Sequence, residues 1–168
     1  MNDVSIVGID PGIVHTGCVA LWIDERNKTL EVFAEVINGV DVTKVNEWVE
    51  HHNPAALFVE DYNPGNYQRE DKKMSEALGR LKHVFPPSED VWYVDNAGVN
   101  TLIPKTVLAT FGVDVFPVKT HHNDLVSAGK ILLLGMLQDK ATRGYRELIS
   151  KVVWDHLRNR PWRVIVHA

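Results

Sequence analysis

The sequence predicts an α/β fold in which one mixed sheet of five strands carries helices on its faces. Three apolar stretches of strand length come first and then strands alternate with helical stretches, in the order β-β-β-α-β-α-β-α-α. Consecutive strands favour antiparallel pairing and alternating strands and helices favour parallel pairing, so three antiparallel strands are followed by two parallel ones. A chain of 168 residues, 45% of them apolar, is long enough for one domain with a substantial core.

The predicted strands are apolar runs bounded by polar residues. Residues 4–10 and "AALFVED" (55–61) are continuous apolar runs, typical of strands buried on both faces. Residues 17–24 and 30–37 flank the polar link "ERNKT", which favours a hairpin. "VWYVD" (91–95) is a fifth, shorter strand.

The predicted helices have apolar residues at helical spacing. Asp41 has the side chain of an N-cap for the first of them, and Pro104 is a residue favoured at a helix start. The helix near the end of the core is apolar nearly all round, so it is expected to be buried. The helices cover 42–52, 71–85, part of 100–112, 121–138 and 141–158.

Composition excludes several classes of protein. The longest apolar stretch, "ILLLGML" (131–137), is far shorter than the ~20 residues of a membrane span. A single cysteine, Cys18, excludes an intramolecular disulfide framework and a cysteine zinc site, and we expect it to be a small buried strand residue. No signal peptide is visible, so we expect a cytoplasmic protein of a bacterial or virus-infected bacterial cell, with no membrane association.

Charge is distributed unevenly along the chain. Residues 1–61 hold eleven acids and three bases, a net of −8, whereas residues 62–168 hold eleven acids and fifteen bases, a net of +4. The stretch after Asp139 is the most basic. Such a gradient can accommodate a polyanion on one side of the protein, and a solvated helix face explains it equally well.

Two predicted buried strands end in carboxylates. Asp10 ends the first strand, and Glu60 and Asp61 end the strand at 55–61. Since sites form at the carboxyl edge of open α/β sheets, Asp10 and Glu60 can share one coordination sphere. Two such carboxylates raise each other's pKa unless a cation lies between them, and Mg²⁺ is the cation that prefers oxygen ligands.

The segment "THHNDLVSAGKI" offers further ligands. His121 and Asp124 are three residues apart and share a helix face, which continues through Ala128, Ile131 and Gly135. The small residues on this face would let the helix pack close to the sheet, so His121 and Asp124 are expected to point at the same strand ends.

Each of these residues also has a purely structural explanation. Asp10 can cap the turn before Pro11 and Gly12, and Glu60 can cap the next loop. His121 can be a surface residue, and Asp124 can simply favour a helix N-terminus. The hypothesis of a metal site therefore depends on the occurrence of all four residues together.

Together these motifs resemble the RuvC family, the Holliday junction resolvases of the RNase H-like superfamily. The resemblance rests on "GIDPG…HTG" at the first strand, a Glu that ends the fourth strand, and H-x-x-D with small residues on the late helix. It covers roughly residues 4–138, leaves 139–168 as a basic helical extension of one nuclease domain, and implies an RNase H-like fold. Divergent members of this type are expected in viruses.

The resemblance implies a metal-dependent endonuclease that hydrolyses DNA phosphodiester bonds by a two-metal mechanism. Matched by motif, the catalytic and metal-binding residues are Asp10, Glu60, His121 and Asp124, with Asp10 bridging two Mg²⁺ ions for which Mn²⁺ substitutes. The earlier helix position is Asp in some members of the family and His in others. Asp61 is a second candidate beside Glu60, and an alternative register pairs Asp124 with Ser127.

The resemblance also implies the partners. Branched DNA is the expected substrate, as a Holliday junction, a flap or a replication-fork-like structure, in recombination and repair, and a homodimer would cut two strands. The acidic net charge and the scarcity of basic residues before the late helix favour looser specificity than a strict junction resolvase has. The residues expected to contact DNA are Tyr62, Tyr67, Arg69, Lys72, Lys73, Lys105 and Lys119.

Two other functions are compatible with parts of the sequence. A DNA-binding or assembly module without catalysis is one. The start "GIDPG…TG" also resembles the phosphate loop of actin-like and sugar-kinase proteins, which are built from two such domains and are much longer than 168 residues.

Overall fold

The structure, a computed structural model, describes residues 3–61, 70–97, 99–140 and 143–168. The strands are β1 Val4–Asp10, β2 His15–Asp24, β3 Thr29–Asn38, β4 Ala56–Glu60, β5 Val91–Val94 and β6 Arg163–His167. The helices are α1 Val42–His52, α2 Glu70–Val84, α3 Val99–Leu102, α4 Lys105–Phe111, α5 His122–Gln138 and α6 Tyr145–Leu157.

The strands form one mixed sheet in the order β5-β4-β1-β2-β3-β6. β1, β2 and β3 pair antiparallel, β4 pairs parallel with β1, and β5 pairs parallel with β4. This confirms the predicted arrangement of three antiparallel and two parallel strands. As a consequence, β1, β4 and β5 end at the same edge of the sheet at which β2 begins.

The prediction of five strands was wrong by one. The chain after α6 is not wholly helical, because β6 adds a sixth strand parallel to β3. Trp162 is buried just before β6, and its indole N–H donates to Asp155 at 2.9 Å. The β-branched run of Val164, Ile165 and Val166 covers the outer edge of β3, which would otherwise leave backbone groups unpaired.

The local signals for helices were reliable. The Asp41 carboxylate accepts from the backbone N–H of Lys44 at 3.1 Å and so caps α1 as predicted. The segment 100–112 contains two short helices, α3 and α4, and Pro104 is the N-cap of α4. Among the described residues, none of the helices has both the length and the apolar content needed to cross a membrane.

Two apolar layers cover the sheet. One face packs against α1 and α2, with Val7, Ile9 and Leu57 in its core. The other face packs mainly against α5, with Ile6, Phe58 and Leu132 in its core. Side chains alternate between the faces, so the even-numbered residues of β1 and β4 point at α5. Asp10 and Glu60 are therefore on the same face of the sheet as α5.

Helix α5 lies unusually close to this face because glycines leave room for it. A Cβ on Gly8 would lie 2.5 Å from the carbonyl oxygen of Ala128 and 2.6 Å from the Cβ of Leu132. A Cβ on Gly135 would lie 2.3 Å from the ring of Phe58. Ala128 and Gly135 are on the helix face predicted from the sequence to allow a close approach, and this expectation is confirmed.

The basic residues after Asp139 are placed mainly at the far end of α5. Arg146 donates from Nε to the carbonyl oxygen of Leu137 at 2.8 Å, at the C-terminal end of the helix. A helix of 17 residues is about 25 Å long, so this end is remote from His121. Arg163 pairs with Thr29 at the edge of the sheet opposite the end of β1. Much of this positive charge thus lies away from the carboxylates.

We predict that Gly8→Ala destabilises the protein by about 1–3 kcal/mol, because the added methyl group must push α5 away from β1. Gly79→Ala is the control, since a Cβ at this exposed position of α2 meets nothing within 4 Å. It should raise stability by about 0.5–1 kcal/mol through its higher helix propensity. Urea unfolding measures both changes, and equal behaviour of the two variants would contradict the close packing of α5.

Candidate metal centre

Three acidic residues converge where β1 and β4 end and α5 begins. The side chain of Glu60 lies close enough to Asp10 to raise its pKa, and the carboxylate of Asp124 is close enough to add to this effect. The Ser127 hydroxyl, one turn along α5, lies close enough to Asp10 to lower its pKa. The structure therefore brings Asp10 and Glu60, at two strand ends, near Asp124 in the first turn of α5.

The environment of Asp10 strongly disfavours its ionised form. The pKa of Asp10 is raised from 3.8 to about 9, first by burial, then by the hydrogen bond and the negative charge of Glu60, and then by the charge of Asp124. The Ser127 hydroxyl acts in the opposite direction and lowers this pKa. A divalent cation would remove the repulsion between Asp10 and Glu60, so this pair of carboxylates suits such an ion.

Glu60 and Asp61 point in different directions. Glu60 ends β4 on the α5 side, where its Oε1 accepts a hydrogen bond from the amide of Asn96. Asp61 instead forms an ion pair with Lys82 of α2 at 3.1 Å, on the other face. Of these two residues, the structure places Glu60 beside Asp10.

His121 and Asp124 lie together at the start of α5, and a second histidine joins them. Nδ1 of His121 is 3.4 Å from Oδ2 of Asp124. The ring of His15, the first residue of β2, lies against the ring of His121 with 3.7 Å between centroids. One potential ligand atom from each of His15, His121 and Asp124 lies within 4.8 Å of the others.

A glycine on β2 brings this group together. A Cβ on Gly17 would lie 2.2 Å from the backbone carbonyl oxygen of Asp124, so the first turn of α5 rests directly on β2. His15 is two residues before Gly17 and faces the same side of the strand. In the register of the sheet, Gly17 is paired with Asp10. The histidines and Asp10 therefore lie at the same edge of the sheet.

An open cleft of about 560 Å³ adjoins Glu60. Its walls include the exposed apolar residues Ile13 and Val14 of the β1–β2 connection, together with Lys73 of α2 and Asn96 after β5. A lysine side chain, apolar side chains and a carboxylate thus line one cleft at the carboxyl edge of the sheet.

The residues predicted to contact DNA are only partly described. Tyr62, Tyr67 and Arg69 lie outside the described residues. Lys72 and Lys73 are exposed near the start of α2, on the side of the sheet opposite α5. Lys105, at the start of α4, and Lys119, just before α5, are also exposed.

His15 and Asn96 were not predicted from the sequence as site residues, and neither was the effect of Ser127 on the pKa of Asp10. Asn96 follows β5, so the strand-end argument that identified Glu60 applies equally to it. The signal for His15 was weaker, since its place beside α5 depends on the register of β2 and on the close approach at Gly17. Ser127 appeared only in the alternative helix register, whereas in the structure it lies beside Asp10 together with Asp124.

Comparison with solved structures identifies the fold. The RuvC protein of Thermus thermophilus bound to a Holliday junction substrate superposes with a TM-score of 0.59 at 18% identity, over 82% of this chain and 96% of that one. A second structure of Thermus thermophilus RuvC gives a TM-score of 0.57 at 17% identity, over 94% of this chain and 98% of that one. The chain has a RuvC-like fold.

The same RuvC-like fold occurs in the yeast mitochondrial Holliday junction resolvase. That structure gives a TM-score of 0.57 at 12% identity and covers 87% of this chain and 85% of its own. No protein-family model and no curated protein matches the sequence. At such low identity the likeness lies in the fold, as predicted from the motifs.

We predict that Asp10→Asn stabilises the metal-free protein at about pH 8 and does so much less near pH 5. The pKa of Asp10 is raised in the folded state to about 9, so unfolding between about pH 4 and pH 9 releases a proton and stability falls as pH rises. The variant has no carboxylate at this position to ionise. Its free energy of unfolding at pH 8 should therefore exceed that of the unsubstituted protein by more than about 1 kcal/mol. Urea unfolding with a chelator at both pH values measures the difference, and a gain independent of pH would contradict it.

Proposed function

We propose that this protein is a divalent-metal-dependent endonuclease that hydrolyses phosphodiester bonds in branched DNA, with Holliday junctions as one substrate. The observation that carries the proposal is the convergence of Asp10, Glu60 and Asp124 at one edge of a RuvC-like fold. The Thermus protein with this fold was solved with a Holliday junction substrate, which supports the choice of DNA.

In this proposal Asp10 and Glu60 would hold one cation through oxygen ligands, and Asp124 and His121 would hold a second. Mg²⁺ suits the oxygen ligands, and Mn²⁺ substitutes for it. The ions would supply an activated water and charge neutralisation at the cleaved phosphate. Asp10 must release its proton to act as a ligand, and Ser127, which lowers the pKa of Asp10, assists this.

The cleft beside Glu60 is the proposed path of the DNA. Lys73 is exposed in this cleft and can contact a phosphate, while Ile13 and Val14 offer apolar surface to an unpaired base. A polyanion can approach the acidic site because bound cations reverse the local charge.

We further propose that one nuclease domain forms a homodimer, since two sites are needed to cut two strands of a junction symmetrically. Light scattering with chromatography measures the mass directly. A protein that stays monomeric on junction DNA would favour a nuclease for flaps or single strands, in which one cut suffices.

The central test compares Glu60→Gln with Asp61→Asn in cleavage assays on labelled four-way junction, flap, duplex and single-stranded DNA. Each reaction is run with Mg²⁺, with Mn²⁺ and with a chelator. Glu60→Gln should lower the cleavage rate by about 100-fold or more, the scale on which loss of one group that stabilises the transition state slows an enzyme. Asp61→Asn is the matched control, because Asp61 pairs with Lys82 outside the site.

The possible outcomes separate the alternatives. Metal-dependent nicks confined to the junction, lost in Glu60→Gln and kept in Asp61→Asn, would establish a resolvase. The same dependence on flaps or single strands would establish a broader nuclease for branched DNA. Absence of metal-dependent cleavage on every substrate would exclude the enzyme and leave a DNA-binding module.

We predict that Lys73→Gln weakens binding to junction DNA and lowers the slope of log affinity against log salt by about 1, since one phosphate contact is lost. Lys151→Gln is the control, because Lys151 lies on α6 and pairs with Glu25 at 3.2 Å, remote from the cleft. Fluorescence anisotropy over a range of salt concentrations measures both slopes. Equal slopes for the two variants would exclude Lys73 from the DNA path.

A further inference from the structure

We propose that His15, His121 and Asp124 form a nitrogen-rich metal site that selects a first-row transition metal ion over Mg²⁺. The potential ligand atoms of these three residues lie within 4.8 Å of one another, a spacing that one ion can bridge. This inference rests on the proposed function, because it names the class of metal in one half of the same site. It adds His15, which neither the strand-end argument nor the family resemblance identified as a ligand.

The backbone fixes the positions of the three donors. His15 starts β2, and the first turn of α5 rests on this strand at Gly17. His121 is the N-cap of α5 with a φ of 62°, and its side chain makes no capping hydrogen bond. A non-glycine residue rarely adopts this backbone conformation, which places the His121 ring between His15 and Asp124.

The contacts of His15 give no structural reason for an imidazole at this position. Among the described residues, its side chain makes no hydrogen bond or ion pair, and its ring contact is with His121. A buried or structural histidine normally binds a partner through a ring nitrogen, as His52 does when its Nδ1 accepts from the indole of Trp22 at 3.2 Å. The ring of His15 instead stays available beside two other potential ligands.

The donor types decide which ion fits. Two imidazole nitrogens with one carboxylate form the set that proteins use for Fe²⁺ and related first-row ions. Mg²⁺ prefers oxygen ligands and keeps much of its water, so it gains little from imidazole. The pair Asp10 and Glu60 presents only oxygens. We therefore expect the site to have two unlike halves. Asp10 and Glu60 would accept Mg²⁺ through oxygen ligands, and the half with two imidazoles would prefer Fe²⁺, Co²⁺ or Zn²⁺.

Metal binding can be tested without any measurement of cleavage. Metal-free protein is titrated with Co²⁺, whose visible absorption reports nitrogen ligands, in the presence of a large excess of Mg²⁺. His15→Phe keeps an aromatic ring against His121 but removes the donor, and it should weaken Co²⁺ binding by at least about 10- to 100-fold. His122→Phe is the matched control, since the ring of His122 contacts Phe116 instead of the cluster, and it should bind Co²⁺ normally.

A second variant protects the test against misfolding. His121→Asn removes the other imidazole, and Asn tolerates a positive φ better than most residues. It should reduce Co²⁺ affinity to a similar extent while the circular dichroism spectrum stays unchanged. Unaltered Co²⁺ binding in folded His15→Phe, or displacement of Co²⁺ by Mg²⁺ at comparable concentrations, would overturn the inference.

The two proposals fail in distinguishable ways. If His15-dependent Co²⁺ binding is absent but Glu60-dependent cleavage occurs with Mg²⁺, the nuclease stands and the nitrogen-rich site does not. If Co²⁺ binds through His15 but no DNA is cut with any ion, the metal site stands and the proposed function does not.

Discussion

The close approach of α5 to the sheet is the constraint on which the rest of the structure depends. Three glycines permit it, with Gly8 and Gly17 on the strands and Gly135 on the helix, because a Cβ at any of them would collide with the opposite element. This contact buries the apolar face of α5 and also places its first turn over the ends of β1 and β2. Core packing and site assembly therefore depend on the same contact.

Electrostatics work against folding at the same place. Asp10 is partly buried beside Glu60 and Asp124, and its pKa is raised to about 9. A group held in this way destabilises the metal-free protein at neutral pH, a cost typical of functional sites, where activity and stability compete. The α5 dipole offsets part of this electrostatic destabilisation, because Asp124 lies in the first turn of α5, near the positive N-terminus of the helix.

The two halves of the candidate site differed in how well sequence could predict them. Asp10 and Glu60 followed from strand ends and parallel pairing, because the carboxyl ends of parallel strands meet at one edge. His121 and Asp124 followed from helical spacing. His15 escaped because nothing in the local sequence records which face of β2 meets α5. Asn96 follows the end of a parallel strand, as Glu60 does, so the same pattern could have identified it.

The sequence by itself determined the order of the first five strands, the extent of the main helices and the carboxylates at the strand ends, because apolar periodicity and capping are local properties. Only the tertiary structure decided what depends on register and close contact. It added β6 to β3, turned Asp61 towards Lys82, and brought His15 against His121. These outcomes depend on contacts between residues far apart in the chain, and local patterns do not encode such contacts.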